Sequence, residues 1–195
     1  MVSAPGPTTR SGAGPTDAAL VLAARAGELW AQEALFQRYA RLVLALAQRI
    51  LAGRDDADDL AQDAFVYAFT RLDTLQNPQA FQAWLRSIVV RTASKRLRRQ
   101  RLLTRLGLRR SEPIDPDTVL TTDAPPDVAA ELRSVYASIE RLPAEERVAL
   151  VLRRVEGMEL SEIATEMKLS LATVKRRLAA AESRLERARV RRGTP

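Results

Sequence analysis

Between residues 111 and 127 the chain reads SEPIDPDTVLTTDAPPD, and no other segment limits the possible fold so strongly. Four of the ten prolines fall here. Each proline locks φ and removes a backbone donor, and the neighbouring aspartates favour turns over helix or sheet. A structureless run of this length is uncommon inside a compact domain, so residues 106–127 read as a linker. The 195-residue chain then divides into two small modules, over residues 16–105 and 128–192.

Both modules read as helical, which makes the fold class all-α: a four-helix module followed by a helix-turn-helix module. Residues 1–15, rich in Pro, Gly, Ser and Thr, carry too little apolar surface to offset ordering entropy and are expected to form a disordered tail. Asp17 is placed to cap a short helix with Leu20, Val21 and Ala24 on one face, ended by Gly27. Leu35, Leu42, Leu46 and Ile50 recur at helical spacing ahead of Gly53. Asp55 or Asp56 caps a third helix, where Asp58 and Asp59 complement the dipole and Phe65, Val66 and Phe69 form the buried side. The Asn77-Pro78 pair opens a fourth, striped with Phe81, Trp84, Leu85, Ile88 and Thr92. Beyond the linker, Asp127 caps a helix through Val128, Leu132, Val135 and Ile139. Pro143 opens another, carrying Val148, Leu150, Val151 and Leu152 before Gly157. No strand-like alternation interrupts the pattern.

Charge is segregated along the chain. Residues 1–90 are nearly neutral, residues 91–110 hold nine basic groups and no acidic one, residues 111–131 hold six acidic groups and no basic one, and residues 132–195 carry a net +5. On a helical wheel Lys95 and Arg99 continue the face of the apolar stripe, while Arg91, Arg96, Arg98 and Arg101 point elsewhere. A helix end that is basic on every side must project into solvent or against a polyanion. Clustered Lys and Arg bind phosphate backbones by releasing condensed counterions, so nucleic acid is the favoured partner, with solvated helix faces as the plain alternative.

The chain contains neither cysteine nor histidine. This excludes a disulfide framework, a thiolate nucleophile, a finger-type zinc site and the commonest general base. No cofactor and no metal are expected, and the chain is not read as an enzyme. No stretch approaches the ~20 apolar residues that span a bilayer, and the start of the sequence lacks the features of a secretory signal, so a cytoplasmic protein without membrane insertion is expected.

Residues 160–185, LSEIATEMKLSLATVKRRLAAAESRL, read as a short helix, a turn at Lys168-Leu169 and a second helix capped by Ser170, the pattern of a helix-turn-helix. In the second helix Leu171, Val174, Leu178, Ala181 and Leu185 share one face. Ala172, Thr173 and Arg176 then face the other way, with Lys175 and Arg177 on the flanks. Arg176 is suited to bidentate bonding with a guanine edge, Thr173 to a base or phosphate, and Lys175 and Arg177 to phosphates. An ordinary three-helix bundle remains the structural alternative for this segment.

Three segments together carry a family resemblance. DDADDLAQDAF (residues 55–65), FQAWLRSIVVRTASKRLRRQR (81–101) and LPAEERVALVLRRVEGMELSEIATEMKLSLATVKRRL (142–178) resemble, in this order and spacing, regions two and four of the extracytoplasmic-function (ECF) group of sigma factors. The resemblance runs from about Asp17 to Arg189, broken only by the linker. It implies binding to core RNA polymerase, through the β′ coiled coil and the β flap, and recognition of promoter DNA, duplex and single-stranded. The first segment resembles the β′-docking helix, which implies polymerase contacts for Asp56, Asp59, Leu60, Gln62, Asp63 and Phe65. The second is similar to the melting and minus-10 helix, preceded by a loop, Leu75 to Ala80, that would capture a flipped base. It implies DNA contacts for Asn77, Trp84, Arg91, Lys95, Arg96, Arg98 and Arg99. The third is similar to the minus-35 reader and implies contacts for Ser170, Ala172, Thr173, Lys175, Arg176 and Arg177. The resemblance further implies an anti-sigma partner and DNA-reading surfaces that the intact protein masks. The chain departs from the family's usual pattern at Val90, Arg91 and Lys95, and at Ala180, Ala181 and Glu182.

Two other readings stand beside this one. Asp55, Asp56 and Asp59 form a D-D-x-x-D run of the kind that binds magnesium in isoprenoid synthases, although no second acidic site or large apolar cavity is legible. A stand-alone helix-turn-helix regulator would need only the C-terminal motif, and it leaves Arg91 to Arg110 unexplained.

Overall fold

The computed structural model describes residues 14–51, 54–107 and 137–190, and among them every regular element is helical. The helices are α1 (Asp17–Arg25), α2 (Leu29–Leu51), α3 (Arg54–Thr70), α4 (Phe81–Arg105), α5 (Ala144–Arg154), α6 (Leu160–Met167) and α7 (Leu171–Val190). Short 3-10 turns at Leu72–Thr74 and Pro78–Ala80 link α3 to α4, and a helix end at 137–140 precedes α5. The linker beyond residue 107, the helix start at Asp127, the stop at Gly53 and the N-terminal tail through residue 13 lie outside the described residues.

Local chemistry explains the boundaries. Thr16, not Asp17, caps α1 by accepting the Ala19 N–H at 3.3 Å, which leaves Asp17 in the first turn where its charge complements the dipole. Asp17 instead ties α1 to α2, accepting from Arg38 at 2.5 Å and from the Tyr39 hydroxyl. Burial, reinforced by the Asp17 carboxylate, pushes the Tyr39 phenol up to about 12, so this tie keeps its proton throughout the physiological range. Gly27, at φ +91, turns the chain from α1 into α2. Asn77 caps the Pro78–Ala80 turn by accepting the Gln79 N–H at 3.0 Å, and α4 follows directly from it.

The core of the first module is formed by Leu20, Leu35, Leu46, Ile50, Leu60, Phe81, Leu85 and Ile88, all essentially inaccessible. The α4 stripe is wider than its sequence pattern: Val89, Val90, Ala93, Ser94 and Leu97 are buried with it, whereas Lys95 and Arg99 are exposed. The apolar face rotates as the helix leaves the core, so Lys95 and Arg99 project into solvent, as a basic helix end must. On α3, Phe65 is buried and Phe69 half-buried, but Val66 is exposed, contrary to its expected burial.

In the second module α6 and α7 form the expected helix-turn-helix. Glu159 and Glu162 make a reciprocal capping box at the start of α6, with Glu162 accepting the Glu159 N–H at 2.8 Å. Lys168 makes the turn at φ 53, ψ 46, in the left-handed region, and Ser170 caps α7 by accepting the Thr173 N–H at 3.2 Å. A side chain in that conformation costs roughly 1–2 kcal/mol, only part of which the extra chain entropy of glycine offsets. Lys168→Gly is therefore expected to stabilise the motif by up to about 1 kcal/mol, read as a raised midpoint in denaturant titration.

The two modules share one apolar cluster, in which Val148, Ala149, Val151, Leu152, Ile163 and Val174 join the core of the first module. Helix α5 is buried on nearly its whole circumference, including Glu146 and Arg147. A short helix covered on all sides is an interior element. It lies between α2 and α4 on one side and α7 on the other.

Candidate nucleic-acid interface

The outward face of α3 presents Asp59, Gln62, Asp63, Val66 and Tyr67, with Val66 61% and Tyr67 53% exposed. Leu60 and Phe65 sit beneath this face in the core, where the Phe65 ring lies between Phe36 and Phe69 at centroid distances of 4.8 and 5.9 Å. Apolar side chains flanked by carboxylates in solvent form a surface that association would desolvate. Arg96 of α4 lies behind it, donating to Asp56 at 2.9 Å and Asp59 at 3.1 Å and approaching Asp63 at 4.0 Å. Gln100 also donates to Asp56, at 2.9 Å. Arg96 thus fastens α4 to α3 and puts a guanidinium where the magnesium reading of Asp56 and Asp59 would need a cation.

Beyond α3, Leu72 and Leu75 are buried and anchor the loop, while Gln76, Asn77 and Gln79 are exposed at its tip. Trp84 is half-buried one turn into α4, against Phe81 at 6.1 Å. Further along, Lys95, Arg98 and Arg99 are exposed and Arg91 half-buried. The loop amides, the indole edge and the cationic face thus follow one another along the start of α4.

On α7, Ala172, Lys175 and Arg176 are exposed, as the wheel predicts. Val174, Leu178 and Ala181 are buried and Leu185 is half-buried, whereas Leu171 is exposed. Thr173 is half-buried, and its hydroxyl lies 2.8 Å from that of Ser170. Small residues at the N-terminal end of a helix let it enter a major groove, and Arg176 projects from that end.

The sequence did not reveal a set of polar ties between the modules. Arg49 pairs with Glu156 at 2.5 Å, Arg86 with Glu166 at 3.0 Å and Arg98 with Glu145 at 3.1 Å. Arg101 donates to the Arg141 carbonyl at 2.7 Å, and Arg147 to the Ile50 carbonyl at 3.5 Å. Glu145 is also the partner of Arg177, at 2.8 Å through its other oxygen. One carboxylate therefore bridges Arg98 of the α4 cationic face and Arg177 of the α7 helix. The one available sequence signal was that an unbalanced basic helix end was followed, past the linker, by a module with ten acidic residues.

Two buried charges mark this contact. Glu166 is only 5% exposed. Burial pushes its carboxyl up, opposed by the hydrogen bond and charge of Arg86 and by the charge of Arg91, while Glu162 adds to the rise. Burial holds the Arg147 guanidinium down at about 10, with Glu140 opposing and Arg101 adding to the drop. Charges taken out of water this far are stable only with partners, so the docked arrangement depends on the Arg86–Glu166 ion pair and on the Ile50 and Glu140 carbonyls that accept from Arg147.

Comparison with known proteins agrees with this geometry. Residues 35–102 match the Sigma-70 region 2 family and residues 132–185 match the Sigma-70, region 4 family. The chain is 31% identical over 172 residues to the ECF RNA polymerase sigma factor SigM of Mycobacterium tuberculosis, covering 88% of this chain and 84% of that protein. It is 31% identical over 170 residues to the ECF RNA polymerase sigma-E factor of Escherichia coli, covering 84% and 88% respectively. Among solved structures, CnrH in complex with the cytosolic domain of CnrY is similar at a TM-score of 0.57 and 27% identity, over 87% of this chain and 94% of that one. The sigma factor RpoE of Bartonella quintana, in complex with the anti-sigma factor NepR, shares the fold at a TM-score of 0.61 and 21% identity, over 80% and 94%. Among the described residues no helix is long and apolar enough to cross a membrane. With both of its conserved regions, its helix-turn-helix and its relatives in agreement, the chain belongs to the ECF group of the sigma-70 family, and it is a sigma factor that directs transcription initiation.

Proposed function

We propose that this sigma factor rests with its two DNA-reading modules latched together, and that engagement by core RNA polymerase separates them. The observation that carries the reading is Glu145, whose two oxygens hold Arg98 at 3.1 Å and Arg177 at 2.8 Å. On promoter DNA these arginines would serve elements centred about 25 base pairs apart, about 85 Å at 3.4 Å per base pair. A single carboxylate cannot bridge that span, so the docked form and the promoter-bound form exclude one another.

In this reading Asp59, Gln62, Asp63, Val66 and Tyr67 form the first polymerase contact, because they stay exposed while the modules are docked. Asp56, Leu60 and Phe65 hold that helix in place from behind. Lys95, Arg98 and Arg99 take the DNA backbone near the melted segment, and Trp84 stacks against an exposed base. Ala172, Lys175, Arg176 and Arg177 enter the upstream major groove, Arg176 as the base reader. The second module then meets the β flap with surface that docking now covers, and an anti-sigma factor would compete for these same faces. The protein acts in the cytoplasm beside its template and supplies binding and positioning; the chemistry belongs to the polymerase.

The test is transcription in vitro with purified core polymerase on a library of genomic promoter fragments, with and without this protein. New specific transcripts with the protein support its assigned contacts with polymerase and promoter, and a drop in energy transfer between dyes on the two modules when core polymerase is added supports their separation. Tight, sequence-specific binding of the free protein to duplex DNA, without such transcripts, would support the stand-alone regulator instead. Arg176→Ala is expected to cost about 1–3 kcal/mol on promoters with the cognate upstream base and much less on promoters lacking it. A uniform loss over all sequences would make Arg176 a phosphate contact.

A further inference from the structure

Arg25, the last residue of α1, lies ahead of the stretch that matches region 2 and was not among the candidate site residues. Its guanidinium crosses to the loop between α3 and α4, where Nε donates to the Leu72 carbonyl at 3.0 Å and Nη2 donates to the Leu75 carbonyl. Among the described residues, all other hydrogen bonds of residues 71–80 join residues no more than four apart: Arg71 N–H to Tyr67 and Ala68, Thr74 to Arg71, Leu75 to Leu72, and Ala80 and Gln79 to Asn77. Arg25 is thus the only long-range polar tie on this loop among the described residues.

The placement of those two carbonyls gives the tie its meaning. Leu72 and Leu75 are the loop's buried anchors, and directly after Leu75 the chain exposes Gln76, Asn77 and Gln79. Each amide carries both a donor and an acceptor, the pairing that reads the edge of a nucleobase. A planar guanidinium can hold two carbonyls at a fixed mutual angle, which a lysine ammonium on a flexible stem cannot do. The clamp is itself rigidly mounted. Leu20, Val21 and Ala24 of α1 are buried, and the other end of α1 is bonded to α2 through Asp17, Arg38 and Tyr39. The Tyr39 ring in turn meets Phe81, the first residue of α4, at 5.4 Å. Both ends of the loop are therefore referenced to α1 and α2.

We infer that Arg25 is a positioning residue for promoter opening: by clamping the Leu72 and Leu75 carbonyls it sets the loop so that its exposed amides meet an unstacked base. The inference rests on the reading of this loop as the captor of a flipped base. Holding such a base offsets its unstacking, and a loop free to wander would have to be ordered at the moment of capture.

The test uses full-length protein with core polymerase on two forms of a promoter that this sigma factor serves, fully duplex and pre-melted across the minus-10 segment by a non-complementary template strand. A 2-aminopurine in the melted segment reports base capture, and each of the four bases is placed in turn at the captured position. Arg25→Ala is expected to slow open-complex formation on duplex DNA at least ten-fold and to flatten discrimination among the four bases on the pre-melted form. Affinity for core polymerase and the unfolding midpoint should stay near wild type. Arg25→Lys, which keeps the charge and loses the fork, should restore little. Gln76→Ala and Gln79→Ala separate the two ideas. If the tip variants flatten base discrimination and Arg25→Ala does not, the positioning role is overturned while base capture stands. If neither tip variant alters discrimination, base capture falls and the role of Arg25 falls with it. A loss in Arg25→Ala that is equal for all bases and accompanied by weaker polymerase binding would reduce Arg25 to a structural contact.

Discussion

Asp63→Arg is expected to abolish capture of core RNA polymerase while leaving the fold intact. The Asp63 side chain is 69% exposed on the outward face of α3, and its nearest cation, Arg96, stands 4.0 Å away. An exposed pair at that distance contributes at most about 1 kcal/mol to folding, so thermal unfolding should shift by no more than a few degrees. At an interface the same change turns an attraction into a repulsion beside Val66 and Tyr67, and like charges brought together on association cost several kcal/mol. A hundred-fold or greater loss of affinity, about 3 kcal/mol or more, should be seen when labelled protein is titrated with core polymerase. Retention of affinity within three-fold would move the polymerase contact off this face.

Arg86→Glu is expected to undock the modules. The variant would place a second carboxylate against Glu166, which is buried and pairs with Arg86 at 3.0 Å. Breaking a buried pair by removing one partner costs about 3–5 kcal/mol, and reversing the charge adds to that. The cost falls on the contact between modules rather than on either core, since Arg86 belongs to α4 and Glu166 to α6. Energy transfer between dyes on the two modules should drop to the value of an extended chain, and free protein should bind upstream duplex DNA more tightly. Wild-type transfer efficiency in the variant would sink the latch.

The same residue gives docking a pH sign. Burial raises the Glu166 carboxyl in the docked form, against the opposing pull of Arg86 and Arg91. The docked form therefore holds its proton to higher pH than the undocked form does, and the Glu166 contribution favours docking at acidic pH and fades as pH rises through the raised value. Arg86→Glu removes the main opposing cause, so its docking should recover more on acidification than that of wild type.

Much of the secondary structure was legible because local chemistry set it. Ser170, Asn77-Pro78, Gly27 and the Lys168 turn each act within a few residues of themselves, and the periodicity of α4 and α7 reports the face each turns inward. The misreadings came where the partner lies far along the chain. Val66 fits a buried stripe and is exposed, because apolarity marks a surface to be covered without saying whether the cover is this chain or another. The pairing of Arg96 with Asp56, some 40 positions away, was not legible either, because in sequence Arg96 looks like its cationic neighbours. Arg25 and Glu145 were invisible as functional candidates for the same reason. Their meaning lies in two carbonyls and two arginines that only the tertiary fold brings within reach.

The shared core around α5 has a consequence for competition among sigma factors. If docking must open before the second module can be used, the polymerase finds only the open fraction of the population, and its apparent dissociation constant rises in proportion. A docked form favoured by about 2 kcal/mol would weaken apparent affinity roughly thirty-fold without altering one contact in the final complex. The docking free energy then sets a concentration threshold below which this factor stays off the polymerase. Substitutions in Val148, Val151 or Leu152 would move that threshold while leaving promoter choice untouched.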